Sequence, residues 1–147
     1  MILKSNFWKN KKVLVTGHTG FKGSWLSLWL KLLGANVYGY SLKPNDKLNF
    51  YSAIKLKEIL DYSEFKDIRD KKSLNNFIRK KKPEIIFHLA AQPLVNESYK
   101  DPLYTFETNI IGTANVIELA RKNNYTKSIV VVTSDKCYAN KSAKPLN

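Results

Sequence analysis

Gly17, Gly20 and Gly23 recur at intervals of three, directly after the apolar run Val13-Leu14-Val15 and directly before Ser24-Trp25-Leu26-Ser27-Leu28-Trp29-Leu30. A strand, a glycine turn and an apolar helix in that order leave few folds open, because they form the first unit of a parallel α/β sheet. Each glycine meets a separate steric demand. Gly17 can take backbone angles closed to other residues, Gly20 lets a phosphate approach the main chain, and Gly23 lets the helix pack close to the strand. A pyrophosphate would then lie on the helix N-terminus, where free N–H groups and the helix dipole favour negative charge. The turn predicts dinucleotide binding. The bland alternative is a strand-to-helix turn that binds nothing.

Apolar periodicity continues the alternation along the chain. Strand one is expected over 12–16 and helix one over 21–33, closed by Gly34. Strand two is expected over 36–41, followed by a polar connection over 42–47 that holds Pro44-Asn45-Asp46. A short helix over 50–57 leads to strand three near 59–65; Asp70 caps a helix running to about Lys81, and strand four covers 84–89. A loop with Pro93 and Pro102 precedes a long helix over 103–123, and strand five, 128–133, is almost all β-branched and apolar, as a buried parallel strand should be. Right-handed crossovers make this an α/β chain: one Rossmann-like domain over residues 1–147, a doubly wound parallel sheet that stops after its fifth strand. The loops after the five strands then meet at one edge, where chemistry is expected.

Composition narrows the function. The net charge is +13, from 25 basic and 12 acidic residues. All but three of the basic residues are Lys, scattered over helix faces and loops, so a nucleic-acid partner is not expected. The densest run, Arg79-Lys80-Lys81-Lys82, stands just before Pro83 and reads as a solvated helix end. No apolar run has bilayer length and Met1-Ile2-Leu3-Lys4-Ser5-Asn6 lacks a signal core, so a cytoplasmic chain without a membrane partner is expected. A lone Cys137 excludes an internal disulfide, and His18 and His88 show no metal-ligand spacing, so no metal is expected.

The five loops carry the candidate residues. After strand two, Ser41 stands where a carboxylate would hold a ribose diol, with Lys43 beyond it; NAD and NADP both remain open. After strand three, Asp67 could accept from an adenine amino group with Ile68 packed on the ring, or could simply belong to the turn; Asp70 reads as a helix cap. After strand four comes Leu89-Ala90-Ala91, where the small alanines let a cofactor approach the backbone, and His88 reads as a hydrogen-bonded structural histidine. Thr108-Asn109 and Gly112-Thr113 interrupt the apolar face of the long helix and either face the cofactor or serve packing. After strand five, Ser134, Asp135 and Lys136 place a hydroxyl, a carboxylate and an ammonium in succession, a plausible acid–base cluster.

Taken in order, TGHTGFKG (16–23), DIRD (67–70), HLAAQPLV (88–95), TNIIGT (108–113) and TSDKCY (133–138) resemble the extended short-chain dehydrogenase/reductase superfamily. GHTGFKGSWLSLWL with HLAAQPLVNESY and TSDKCY is similar in particular to the CDP-glucose 4,6-dehydratase family of deoxysugar biosynthesis. The resemblance runs from about Lys11 onward and covers only the first part of such an enzyme. It implies a nucleotide-sugar substrate, a tightly held NAD that oxidises C4, elimination of water across C5 and C6, and return of hydride to C6. It also implies that Gly17, Gly20, Phe21, Lys22 and Gly23 line the pyrophosphate, and that Asp67 and Ile68 meet the adenine. Leu89 to Ala91 and Thr108 would line the rest of the cofactor. Ser134 would bond the sugar near O4, Asp135 would protonate the departing C6 hydroxyl, and Lys136 would stand where related dehydratases place a glutamate base.

The family's Tyr-x-x-x-Lys pair should follow strand five by some twenty residues or more. The sequence reaches Asn147 without it, and Tyr138 is followed four residues later by Ser142. These residues alone are therefore expected not to turn over, and strand five to present an apolar edge that invites aggregation. The long helix would serve a homodimer or larger homo-oligomer of the complete enzyme. Competing readings are a nucleotide-sugar epimerase or reductase of the same superfamily, a non-catalytic dinucleotide-binding module, and a basic nucleic-acid binder.

Overall fold

The computed structural model describes residues 6–44 and 49–134. Five parallel strands form one sheet in the order β3-β2-β1-β4-β5. In chain order, β1 (Lys12–Thr16), α1 (Phe21–Leu32) and β2 (Asn36–Ser41) open the fold. They are followed by α2 (Phe50–Ala53), α3 (Leu56–Ile59), β3 (Tyr62–Phe65), α4 (Lys71–Lys81) and β4 (Ile85–His88). The chain then forms α5 (Val95–Lys100), α6 (Pro102–Phe106), a π-helical segment (Glu107–Gly112), α7 (Thr113–Arg121) and β5 (Ser128–Val131). This is a Rossmann-like doubly wound sheet, with the order reversing between β1 and β4.

Strand alternation builds two cores. Leu14 of β1 joins Tyr40 of β2 and Ile86 of β4 on one face, under Leu74 and Ile78 of α4 and Val116 of α7. Val13 and Val15 turn to the other face, where Val37 meets Leu30 of α1 and Leu56 of α3. Val13, Leu14, Val15 and Ile86 are fully buried, each contributing about 1.5–3 kcal/mol by leaving water. Helix ends follow their chemistry. Gly34 closes α1 at φ +87, Asp70 caps α4 by accepting from the Ser73 N–H at 3.0 Å, and Lys82 ends it in the left-handed region before Pro83.

Five expectations need correction. The short helix over 50–57 is two helices broken at Ile54-Lys55, with Lys55 at φ 49. Strand three starts at Tyr62, because Ile59 finishes α3 and the Asp61 carboxylate takes the Val37 N–H at 2.7 Å and Lys31 at 2.8 Å. The loop after strand four contains α5, and the long helix over 103–123 is α6, a π-helical segment and α7 in succession. Asp101, accepting from the Tyr104 N–H at 2.9 Å, starts α6 with Pro102 in its first turn. Strand five ends at Val131 rather than Thr133, although the Val132 N–H still donates to the His88 carbonyl at 3.0 Å.

The π-helical segment has identifiable anchors. Gly112 lies so close to Ile68 that a Cβ there would stand 2.6 Å from Ile68 Cδ1. Asn109 exchanges two hydrogen bonds with the Gln92 main chain, at 2.8 and 3.0 Å. Residues five apart in a regular α-helix lie about 140° apart around the axis. The wider turn brings Thr108 and Thr113 closer to one side, which suits a helix held to both the β3 and the β4 loops.

Among the described residues β5 pairs with β4 alone, and Val130 and Val132 are exposed. Val130→Lys is expected to raise several-fold the protein concentration at which light scattering begins, while changing stability by no more than about 0.5 kcal/mol. An unchanged scattering threshold would mean that the open edge does not drive aggregation.

Candidate functional site

The turn between β1 and α1 is a stack of close backbone contacts. Gly17 sits at φ +73, and a Cβ on it would lie 2.7 Å from the Ala90 nitrogen and 2.8 Å from the Leu89 carbonyl carbon. Gly23 faces Gly17 from within α1; its Cβ would stand 2.1 Å from the Gly17 carbonyl oxygen. Gly23 thus packs the helix against the turn that leaves the strand. Gly20 differs, since the nearest atom to its Cβ would be the Gly17 oxygen at 3.4 Å. The space in front of Gly20 is open to a ligand. Gly20 is the N-cap of α1, no side chain caps that end, and no acid occupies the first turn, so the N–H groups that begin the helix suit an anion. Phe21 and Lys22 follow with exposed side chains.

One hydrogen-bonded chain holds this edge together. The Thr16 hydroxyl accepts from the Leu89 and Ala90 N–H groups at 3.2 and 3.3 Å, so its proton goes to His88 Nδ1 at 2.7 Å. His88 Nε2 therefore carries the ring hydrogen and donates to the Thr113 hydroxyl at 2.9 Å. His88 is structural, as its place at the end of an apolar strand suggests. Burial pushes its pKa down to about 4.

Ser41 and Asp67 are both engaged. The Ser41 and Thr19 hydroxyls lie 2.9 Å apart, and each donates toward the Leu42 carbonyl at 3.0 Å. Asp67 accepts from the Arg69 N–H at 2.8 Å and from the Arg69 guanidinium at 3.0 and 2.8 Å. Burial alone would raise the Asp67 pKa; the Arg69 hydrogen bonds and charge outweigh it and hold the carboxylate ionised. Arg69 also bridges to Glu107 at 2.8 Å and lies over the Tyr104 ring at 4.6 Å. Ile68 is buried against Gly112, and the Asn115 amide donates to its carbonyl at 3.2 Å. Thr108 is also buried, and its hydroxyl has no hydrogen-bond partner among the described residues. A polar ligand atom would satisfy it.

The structure thus gathers Gly17, Gly20, Gly23 and Leu89 to Ala90 at one edge, and joins Asp67, Ile68 and Thr108 through Arg69 and Gly112. Ser134 lies exposed beyond β5, and Asp135 and Lys136 lie outside the described residues. Among the described residues no cluster of His, Cys, Asp and Glu could hold a metal, and no helix is long and apolar enough to cross a membrane.

Sequence reasoning missed two contributors. Arg69 clamps Asp67, a contact that the Asp-x-Arg spacing allows but does not fix. His18 is fully buried beside Gly39, whose Cβ would stand 2.5 Å from the ring. Its ring packs against Tyr51 and Phe65, and neither nitrogen has a hydrogen-bond partner at good geometry among the described residues. Burial lowers its pKa to about 4, opposed in part by the nearby Tyr40 carbonyl.

A family profile described as GDP-mannose 4,6 dehydratase matches residues 14–147. The chain belongs to that family. The GDP-mannose 4,6 dehydratase family lies within the extended short-chain dehydrogenase/reductase superfamily that the motifs resemble. The chain is 47% identical over 140 residues to CDP-glucose 4,6-dehydratase of Salmonella typhimurium, covering 95% of this chain and 39% of that protein. It is 36% identical over 134 residues to dTDP-D-glucose 4,6-dehydratase of Dictyostelium discoideum, covering 87% and 30%. Among solved structures, UDP-glucose 4-epimerase from Brucella ovis in complex with NAD superposes with a TM-score of 0.73 at 28% identity, covering 92% of this chain and 39% of that one. The Stenotrophomonas maltophila UDP-glucose-4-epimerase, with bound NAD and formylated UDP-arabinopyranose, gives 0.77 at 25%, covering 93% and 41%. The chain therefore spans 39% and 30% of the length of these two curated relatives.

Two measurements test the site's packing. Gly23→Ala adds a good helix former, yet is expected to destabilise by more than about 2 kcal/mol because its Cβ meets a main-chain carbonyl. Gly20→Ala should cost under about 1 kcal/mol by the same urea titration. Equal costs would contradict the packing described. For pH, both histidines are neutral in the folded and unfolded states above about pH 6.5. Below it the unfolded chain takes up protons that the folded chain refuses down to about pH 4. Stability should therefore be flat from pH 8 to 7 and fall from pH 6.5 toward 5, by up to about 1.4 kcal/mol per pH unit for each histidine. His88→Gln should reduce that slope; an undiminished slope would show that His88 titrates normally.

Proposed function

We propose that the chain is the NAD-binding portion of a cytoplasmic nucleotide-sugar 4,6-dehydratase that converts CDP-glucose to CDP-4-keto-6-deoxyglucose and water. The 47% identity to the Salmonella CDP-glucose 4,6-dehydratase across 95% of the chain carries this reading. The open Gly20 face, the uncapped start of α1 and the unpartnered Thr108 hydroxyl support it, since together they fit a dinucleotide. Hydride acceptance from C4 and its return at C6 are what NAD supplies when bound.

The chain's own residues do the rest. The turn Gly17–Gly23 binds the pyrophosphate on the α1 N-terminus, with Phe21 and Lys22 in its first turn. Asp67, held by Arg69, accepts from the adenine amino group, Ile68 packs on the ring, and Leu89 to Ala91 with Thr108 line the remainder. Ser134 bonds the sugar near O4. Asp135 protonates the departing C6 hydroxyl, and Lys136 removes the C5 proton, which requires a pKa lowered by desolvation or by a neighbouring cation. Deprotonation of the C4 hydroxyl falls to the family's Tyr-x-x-x-Lys pair, so these 147 residues alone are expected to bind cofactor without turnover. With the Ser41 hydroxyl 2.9 Å from that of Thr19, NADP is the cofactor to test against NAD. The likeness to UDP-glucose 4-epimerases favours a second reading, a nucleotide-sugar epimerase.

Calorimetric titration of the chain with NAD should show binding that Gly20→Val weakens at least tenfold, with NADP weaker than NAD. Absence of binding would remove the cofactor assignment. The full-length protein incubated with CDP-glucose in heavy water should give a 4-keto-6-deoxy product carrying deuterium at C5, and Lys136→Met should abolish it. A C4 epimer without dehydration would establish the epimerase instead.

A further inference from the structure

The edge of the sheet opposite the glycine turn carries an open cleft of about 630 Å³ that the cofactor residues do not touch. It lies where α4 and α7 end and the chain turns back into β4 and β5. Asn75 and Arg79, one helical turn apart, line it from α4, with Lys82 at the helix end. Lys122 closes α7 on the other side, and Tyr125 enters from the loop before β5.

The two sides are tied to each other beneath the cleft. The Asn123 side chain accepts from the Tyr125 and Thr126 N–H groups at 3.1 and 2.8 Å and donates to the Leu119 carbonyl at 2.9 Å, which seats the loop on the end of α7. The Thr126 hydroxyl donates to the Pro83 carbonyl at 2.9 Å and so joins that loop to the end of α4. The Leu119 carbonyl, one of those a helix C-terminus leaves free, is thereby already engaged.

The polar groups of the cleft are left over from this scaffold. Among the described residues the Arg79 guanidinium and the Lys82 ammonium have no hydrogen-bond or ion-pair partner, and no carboxylate lines the cleft. Glu118 is shared between Arg121 at 2.8 Å and Lys122 at 3.0 Å, so one anion answers two cations. The Tyr125 hydroxyl is buried with no hydrogen-bond partner among the described residues. Burial pushes its pKa up, and the Arg79 charge opposes that rise. The helix dipole accounts for cations at the end of α4, but not for a buried hydroxyl left without a partner beside them.

We infer that this cleft binds a small phosphomonoester, at a site separate from the cofactor turn. Arg79, Lys82 and Lys122 can only donate, and a phosphate group offers three acceptor oxygens to them and to the Tyr125 hydroxyl. The volume falls within the range of about 300–1,000 Å³ usual for small-molecule sites. A bare phosphate would leave most of that space empty, which leaves room for a sugar-sized organic group beside Leu119.

Calorimetric titration of the full-length protein with ribose 5-phosphate, in excess NAD, tests this. Saturable binding is expected, weakened at least tenfold by Arg79→Gln and several-fold by Tyr125→Phe, since each removes a donor to an anion. Tyr125→Phe keeps the ring that packs against the core, so its effect is read in a folded protein. Lys80→Gln removes the same charge beside the cleft but outside its lining, and should leave binding unchanged. NAD affinity should be the same in all three variants, and inorganic phosphate should compete with the sugar phosphate. No binding at millimolar ribose 5-phosphate, binding that Tyr125→Phe leaves intact, equal losses in Lys80→Gln and Arg79→Gln, no competition by inorganic phosphate, or binding of duplex RNA in place of the sugar phosphate would each overturn the inference.

Discussion

Everything at the functional edge depends on three backbone segments meeting without side chains between them. Gly17, Gly23 and the Leu89–Ala90 peptide approach so closely that a single carbon on either glycine would overlap main-chain atoms. The contact joins the first strand, the first helix and the loop after the fourth strand, and so fixes where the α1 N-terminus points relative to the sheet. Gly20, one turn away, has no such neighbour. The same motif therefore contains two glycines required for packing and one that leaves room for a ligand.

The contact is held in register by Thr16, His88 and Thr113. With two lone pairs taken by amides, the Thr16 hydroxyl fixes the His88 tautomer, and the ring fixes the start of α7. A second set, Asp67, Arg69 and Glu107, ties the β3 loop to the π-helical segment from the other side. The segment is thus anchored to both loops that flank the site. A widened turn between two such anchors accounts for Thr108 being directed inward while the helix continues toward β5.

Much of this was legible in the sequence, and the reasons are local. β1, β2 and α4 lie where alternation, the Asp70 cap and the Pro83 stop place them. These signals act within a few residues and meet no tertiary competition. Ile59 and Leu60 misled, because apolar residues before a strand read as strand, while here Ile59 closes a short helix and Asp61 occupies the position where pairing would begin. The π-helical segment was not legible at all. Its cause is a set of contacts to residues about twenty to fifty positions earlier, and periodicity over 103–123 averages across a widened turn. In the site, the glycine roles and the structural character of His88 could be read from position in the motif. The clamp on Asp67 could not, since it depends on the direction of the Arg69 side chain. His18 was overlooked because its burial depends on Gly39, a neighbour in the sheet rather than in the sequence.

Two of the apolar surfaces exposed among the described residues differ in origin. Val130 and Val132 are exposed on a strand that, among the described residues, is paired on one side only. The row Phe21, Trp25, Trp29 and Leu32 on α1 is different, because these exposed side chains lie opposite the helix face buried against the sheet. A surface of that kind is silent for folding and costs solubility.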